Sequence, residues 1–220
     1  MNTDLVTLCN NMKVQISNET TFHFGIKSLL MLRQQLFDIL LHFKSALRRE
    51  DYYAMPFIND NGFQSKTIAY SIWHIFRIED IVSHTLGSGD TQIFFSGNYL
   101  ERIGSPIITT GNELVKQQIA DFSVLLDIEE LYQYATEVKA CSDIMLNKLT
   151  FADLNRVMTT ADRTRLESLC VVSRSDNARW LIDYWCGEDL KGLLLMPFSE
   201  HWLAHIYACM TIRDNIYSKK

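Results

Sequence analysis

The chain has 220 residues, 47% of them hydrophobic, and a net charge of −5, enough for one domain over residues 1–220 with a full core. Acidic overall and with no Lys/Arg run longer than a pair, it lacks the clustered positive charge of a nucleic-acid surface, and its five cysteines, odd in number and without a CxxC, argue against a disulfide framework or a zinc knuckle. It opens on no basic-then-apolar leader and holds no run near the roughly 18 apolar residues of a membrane span, so the expected setting is the cytoplasm, with reduced thiols.

Nine glycines and three prolines are few for this length, and the long apolar periodicities favour helices over strands. The first strong segment runs from about Thr21 to Arg49, with Phe22, Ile26, Leu29, Leu30, Leu36, Phe37, Leu40, Leu41 and Phe43 near a 3.6 period. Asn59-Asp60-Asn61-Gly62 reads as a loop. Ser65 is the expected N-cap of a second helix over 65–86, stopped by Gly87-Ser88-Gly89. That helix is apolar on most sides, so a central position, an added covering segment or a partner subunit is expected. Residues 87–111 read as irregular and 112–125 as a short helix. Asp127 is the expected cap of a third long helix over 127–149. Shorter helices are expected around 160–172 and 176–186, and Pro197 and Ser199 open a last helix over 198–217. The whole reads as all-α, an elaborated four-helix bundle with extra short helices; an orthogonal array of six to eight helices is the alternative.

Of six histidines, three form a constellation. His201 and His205 are one helical turn apart, so their imidazoles share a face and can reach one metal ion. They fall within the apolar stripe marked by Phe198, Trp202, Cys209, Ile212 and Ile216, and imidazoles aimed into a core need partners for their nitrogens. His74, beside the main apolar stripe of the second helix, is placed to supply a third ligand. Its plainer reading is a core histidine bonded to a backbone carbonyl. Tyr70 and Arg77 share its surface and are candidate pocket residues, Arg77 for an anionic group, although a surface ion pair with Glu79 or Asp80 also accounts for it. Asp80, Glu200 or Asp214 could hydrogen-bond and orient a ligand imidazole. His23, His42 and His84 are assigned to surface or structural roles. Catalytic residues are not identifiable.

Ser-Ile-Trp-His74 inside a long second helix, followed far downstream by His201-x-x-x-His205 in the last, resembles the DinB/YfiT-like superfamily. These are four-helix bundles of mostly bacterial origin. The resemblance covers the four long helices, about half the chain, and implies His74, His201 and His205 as a three-histidine metal site. Residues 87–126 and 151–196 are extra relative to a minimal member, and Ile206-Tyr207-Ala208-Cys209 replaces a Gly-Gln type of continuation. Members include metal-dependent transferases for low-molecular-weight thiols and thiol-dependent isomerases.

Three neutral imidazoles leave coordination positions for other ligands, the pattern of catalytic rather than structural sites. Zinc or nickel suits such a set. The leading expectation is therefore a metal-dependent transferase or hydrolase acting on a small-molecule substrate, activating a low-molecular-weight thiol or water. The competing expectation is a non-catalytic binding protein that keeps the histidines, with its apolar second helix buried in a homodimer. A solvent-open pocket at the histidines favours the first. A site sealed by side chains from 87–126 favours the second. No GxGxxG, GxxxxGK[ST], GxSxG or HExxH occurs, so nucleotide, serine-hydrolase and zincin readings lack their starting motif.

Overall fold

A computed structural model describes residues 3–218. The chain is all-α. Among the described residues no stretch forms a strand, and extended pairing is limited to one isolated bridge between Val157 and Asp189.

The amino-terminal helices are α1 (Thr3–Ile16) and α2 (Phe22–Ala46). They pack along each other so closely that a Cβ on Gly25 of α2 would stand 2.6 Å from the Ile16 backbone nitrogen. Next come α3 (Ile68–Asp80), which runs on through a π-helical stretch at Ile81–Ser88, and two short helices, α4 (Ile93–Ser96) and α5 (Tyr99–Ile103). Then α6 (Gln117–Leu125) precedes the long α7 (Ile128–Asn147), followed by α8 (Thr160–Ser168), α9 (Trp180–Gly187) and α10 (Leu190–Leu195). A π-helical turn at Met196–Glu200 leads into α11 (His201–Ser218).

Local chemistry accounts for several of these ends. Thr67, not Ser65, caps α3: its hydroxyl accepts from the Tyr70 amide, so the helix starts three residues later than the sequence suggests. Asp127 caps α7 as expected, accepting from the Glu130 amide. The segment 87–111 is less irregular than its composition implies, since α4 and α5 lie in it. Phe94 of α4 and Tyr99 of α5 both bury their rings against Tyr134 of α7.

α2, α3, α7 and α11 meet around the core, with α3 against α7 and α11, and α2 against α7 and α11. One buried polar knot ties all four. Arg33 of α2 grips both carboxylate oxygens of Glu79 of α3 at 2.8 Å and reaches Asp143 of α7 at 2.7 Å. Trp202 of α11 donates its indole N–H to Glu79 at 2.7 Å, and the Ser142 hydroxyl of α7 donates to the same carboxylate. A bidentate, fully bonded pair is the form in which buried charges are tolerated. All thirteen residues of α3 are buried, which its all-round apolar surface requires. The cover comes from this chain itself: α7 on one side, α6 and α4 on others, and the strap at 104–112. The apolar helix therefore gives no reason to invoke a dimer.

Candidate metal centre

His74 comes from the middle of α3, and His201 and His205 from the first two turns of α11. Their ring centroids are 4.6 to 5.1 Å apart, and one nitrogen from each lies within 4.8 Å of the others. All three are buried. The structure thus brings together the three histidines singled out in the sequence.

The strap positions His74. Tyr70, His74 and Arg77 are spaced four and three apart, so they share one face of α3. Each donates to a backbone carbonyl of the strap: Tyr70 to Gly111 at 3.0 Å, His74 Nδ1 to Thr110 at 2.6 Å, and Arg77 to Ile108 at 2.7 and 3.0 Å. A carbonyl can only accept, so Nδ1 of His74 carries the proton and Nε2 keeps its lone pair. The carbonyl bond of the plain core-histidine reading is present, and it is also the bond that would prepare a ligand imidazole. Gly111 makes the strap fit. It has φ of +78°, and a Cβ there would meet the rings of Trp73 and Tyr70 at 3.0 and 3.1 Å.

The histidine pair starts where the π-helical turn ends. Pro197 stands near the start of that turn, and Ser199 donates to the Leu194 and Leu195 carbonyls at 3.0 and 2.8 Å, binding the turn to α10. Trp202 lies between the two histidines in sequence and is fixed by Glu79, so the knot that joins the four helices also sets the rotation of α11.

The donor set fits a divalent ion. The Nδ1 atoms of His201 and His205 are buried and have no hydrogen-bond partner, a costly state that an ion ligated through those atoms would relieve. Burial lowers the pKa of all three: His74 to about 4, where its Thr110 bond opposes the fall, and His201 and His205 well below the ordinary value. Neutral imidazole is the form a metal needs.

Two clefts open on the cluster. One, of about 180 Å³, is lined by Phe63, Ile78, Trp180, Tyr184, Trp185 and Met196 with the three histidines. The other carries Lys66, Tyr70 and Asn112 beside His74 and His205. Phe63, which lines both clefts, and Trp180, which lines the first, are exposed. From the strap and α6 region, only Asn112 reaches the clefts, so that segment orients the site without sealing it.

Other expectations are corrected. Tyr70 does line the site, its ring stacked on His74 at 5.3 Å. Arg77 does not reach the clefts: it is fully buried, and the expected ion pair with Asp80 is present at 3.6 Å but lies in the core rather than at the surface, while the guanidinium also serves the Ile108 carbonyl, Gln92 and the ring of Phe94. Asp80, Glu200 and Asp214 orient no ligand imidazole. Asp80 caps the amides of Ile93 and Phe94, Glu200 pairs with Lys13, and Asp214 with Arg213. His84 is buried and bonds Asp90 at 2.6 Å, a structural role, while His23 and His42 are exposed. Lys66, Asn112, Trp180 and Tyr184 were not identified from the sequence. Their nearest signal is spacing, since Lys66 stands four residues before Tyr70 and Trp180 four before Tyr184.

Fold and site together define an all-α protein with a buried three-histidine cluster suited to one divalent ion. The chain matches no protein-family model and no curated protein sequence.

Proposed function

We propose that the protein is a metal-dependent enzyme of the DinB-like kind, in which His74, His201 and His205 hold a divalent ion, zinc or nickel, and a low-molecular-weight thiol or water is activated for attack on a small electrophile. The observation that carries this reading is the pair of clefts converging on three neutral histidines: a closed structural site has no use for them. A bound ion would supply Lewis acidity, lowering the pKa of a thiol or a water. The chain's own residues do the rest. Thr110 fixes the tautomer of His74, the apolar core keeps the imidazoles neutral, and the rings of Phe63 and Trp180 restrict water at the openings. Tyr70 is a packing group: burial raises its phenol pKa far above the ordinary value, and its proton is already donated to Gly111.

The test is thiol consumption by the zinc- or nickel-loaded protein with an aryl halide electrophile such as 1-chloro-2,4-dinitrobenzene, and ester hydrolysis in parallel. Turnover should require the metal and fall about 100-fold or more in His201→Ala, as removal of a group central to the chemistry does. Protein that carries its metal but turns over neither class of substrate would overturn the enzymatic reading in favour of a binding role.

A further inference from the structure

The two clefts differ in chemistry, and the difference specifies a ligand. They are continuous: Phe63, Asn112, His74 and His205 line both. On one side, Trp180, Leu181, Tyr184, Trp185, Met196 and Pro197 form an almost wholly apolar wall. Its volume of about 180 Å³ is near the roughly 150 Å³ of an apolar cavity that takes up benzene, so it fits a single ring. On the other side stands the half-buried ammonium of Lys66. It lies over the Tyr70 ring, 5.4 Å from its centroid, and makes no salt bridge among the described residues. Its charge is felt at both His74 and His205. Asn112 lines the same cleft, and its side-chain oxygen is buried without a hydrogen-bond partner; as an acceptor it suits a ligand N–H or O–H, so the anion falls to Lys66 alone. A half-buried, unpaired cation at the mouth of a pocket is a receptor for an anion.

We propose that the site binds an amphiphilic small molecule with an apolar, single-ring body in the Trp180–Met196 cleft and one anionic group held by Lys66, the two ends lying on either side of the histidines. A single ammonium suits a monoanion. The assignment rests on the reading of this pocket as a substrate site and adds the substrate class. Sequence pattern pointed to Arg77 for the anion; the strap takes that guanidinium away, and Lys66 is the cation left facing the cleft.

The test is a binding titration of 4-phenylbutanoate, with 4-phenylbutan-1-ol and butanoate as controls, on the purified protein before and after chelator treatment. Metal content is measured on the same samples. The acid should bind about ten-fold tighter than the alcohol, the size of one charge-assisted hydrogen bond, and at least about ten-fold tighter than butanoate, which lacks the buried ring. Lys66→Met, and Lys66→Gln as a second variant, should bring acid and alcohol to the same affinity while leaving the alcohol unchanged. Trp180→Ala should weaken both ring-bearing ligands and leave butanoate as it was. Equal binding of acid and alcohol by the unmodified protein would overturn the proposal. So would an acid preference that survives Lys66→Met, since the carboxylate would then sit elsewhere, including on the ion. Absence of metal would sink the enzyme reading alone, because the acid-versus-alcohol comparison in chelated protein still reads Lys66.

Discussion

The 2.6 Å bond from His74 Nδ1 to the Thr110 carbonyl couples a backbone strap to the tautomer of a candidate ligand. Gly111→Ala tests that coupling. The new Cβ meets Trp73 and Tyr70 while the backbone stays at positive φ, which costs about 1–2 kcal/mol. Because the Thr110 and Gly111 carbonyls shift together, metal affinity should fall about 10- to 100-fold, the usual effect of losing a ligand's orienting partner; a competition titration against a chromogenic chelator reads it. The lowered pKa of His74 sets a pH dependence. Protons prefer the unfolded chain, where histidine titrates near 6.5, over the folded chain, where burial holds His74 near 4. The stability contributed by neutral His74 is therefore intact above 6.5 and lost as the pH falls towards 4. Urea unfolding of metal-free protein should show wild type losing up to about 1.4 kcal/mol per pH unit relative to His74→Leu across that window; a constant difference would contradict it. His201 and His205 were legible because an i, i+4 pair on an apolar stripe has few other uses. Lys66 was not, because it precedes the cap of α3 and only the fold brings it beside Tyr70. Arg77 was misplaced because a helical face shows which residues point together and not what lies over them.

The helices are held in register by the Arg33–Glu79 knot. Arg33→Met leaves the Glu79 charge buried with only Ser142 and Trp202 as donors, and should cost about 3–5 kcal/mol in denaturant unfolding. A loss below about 1 kcal/mol, the range of an exposed pair, would mean that the knot is not formed as described. Since Trp202 is bonded to Glu79, the same variant should also loosen α11 and lower metal affinity. The long helices were readable from apolar period. α1 was not, although Leu5, Leu8, Cys9, Met12 and Ile16 keep helical spacing: Val6, Thr7, Asn10, Asn11 and Val14 are poor helix formers, and α1 depends on its packing against α2. The boundary at Thr67 was missed because Ser65 and Thr67 are chemically equivalent caps. Which one is used depends on Thr67 meeting Ser123 of α6 at 2.6 Å.

At the scale of the molecule, the segments between the long helices divide the labour around one cluster. Residues 104–112 cover α3 and orient His74, whereas α9 and the turn before α11 build the apolar cleft. No helix among the described residues is long and apolar enough to cross a membrane. The all-α class was legible from composition and period, and the His201/His205 pair from spacing and stripe, whereas His74 was singled out mainly through the family resemblance. The pocket was not, because its walls come from Phe63, Asn112 and Trp180, residues far apart in the chain that no local pattern connects. The central claim is that His74, His201 and His205 bind one divalent ion. Its most direct test is elemental analysis of untagged protein, as purified and after dialysis against zinc or nickel, alongside His74→Ala and His201→Ala. About one ion per chain in wild type, and loss of that ion in each folded variant, is the expected result; wild-type protein that carries no ion and cannot be loaded would contradict the account.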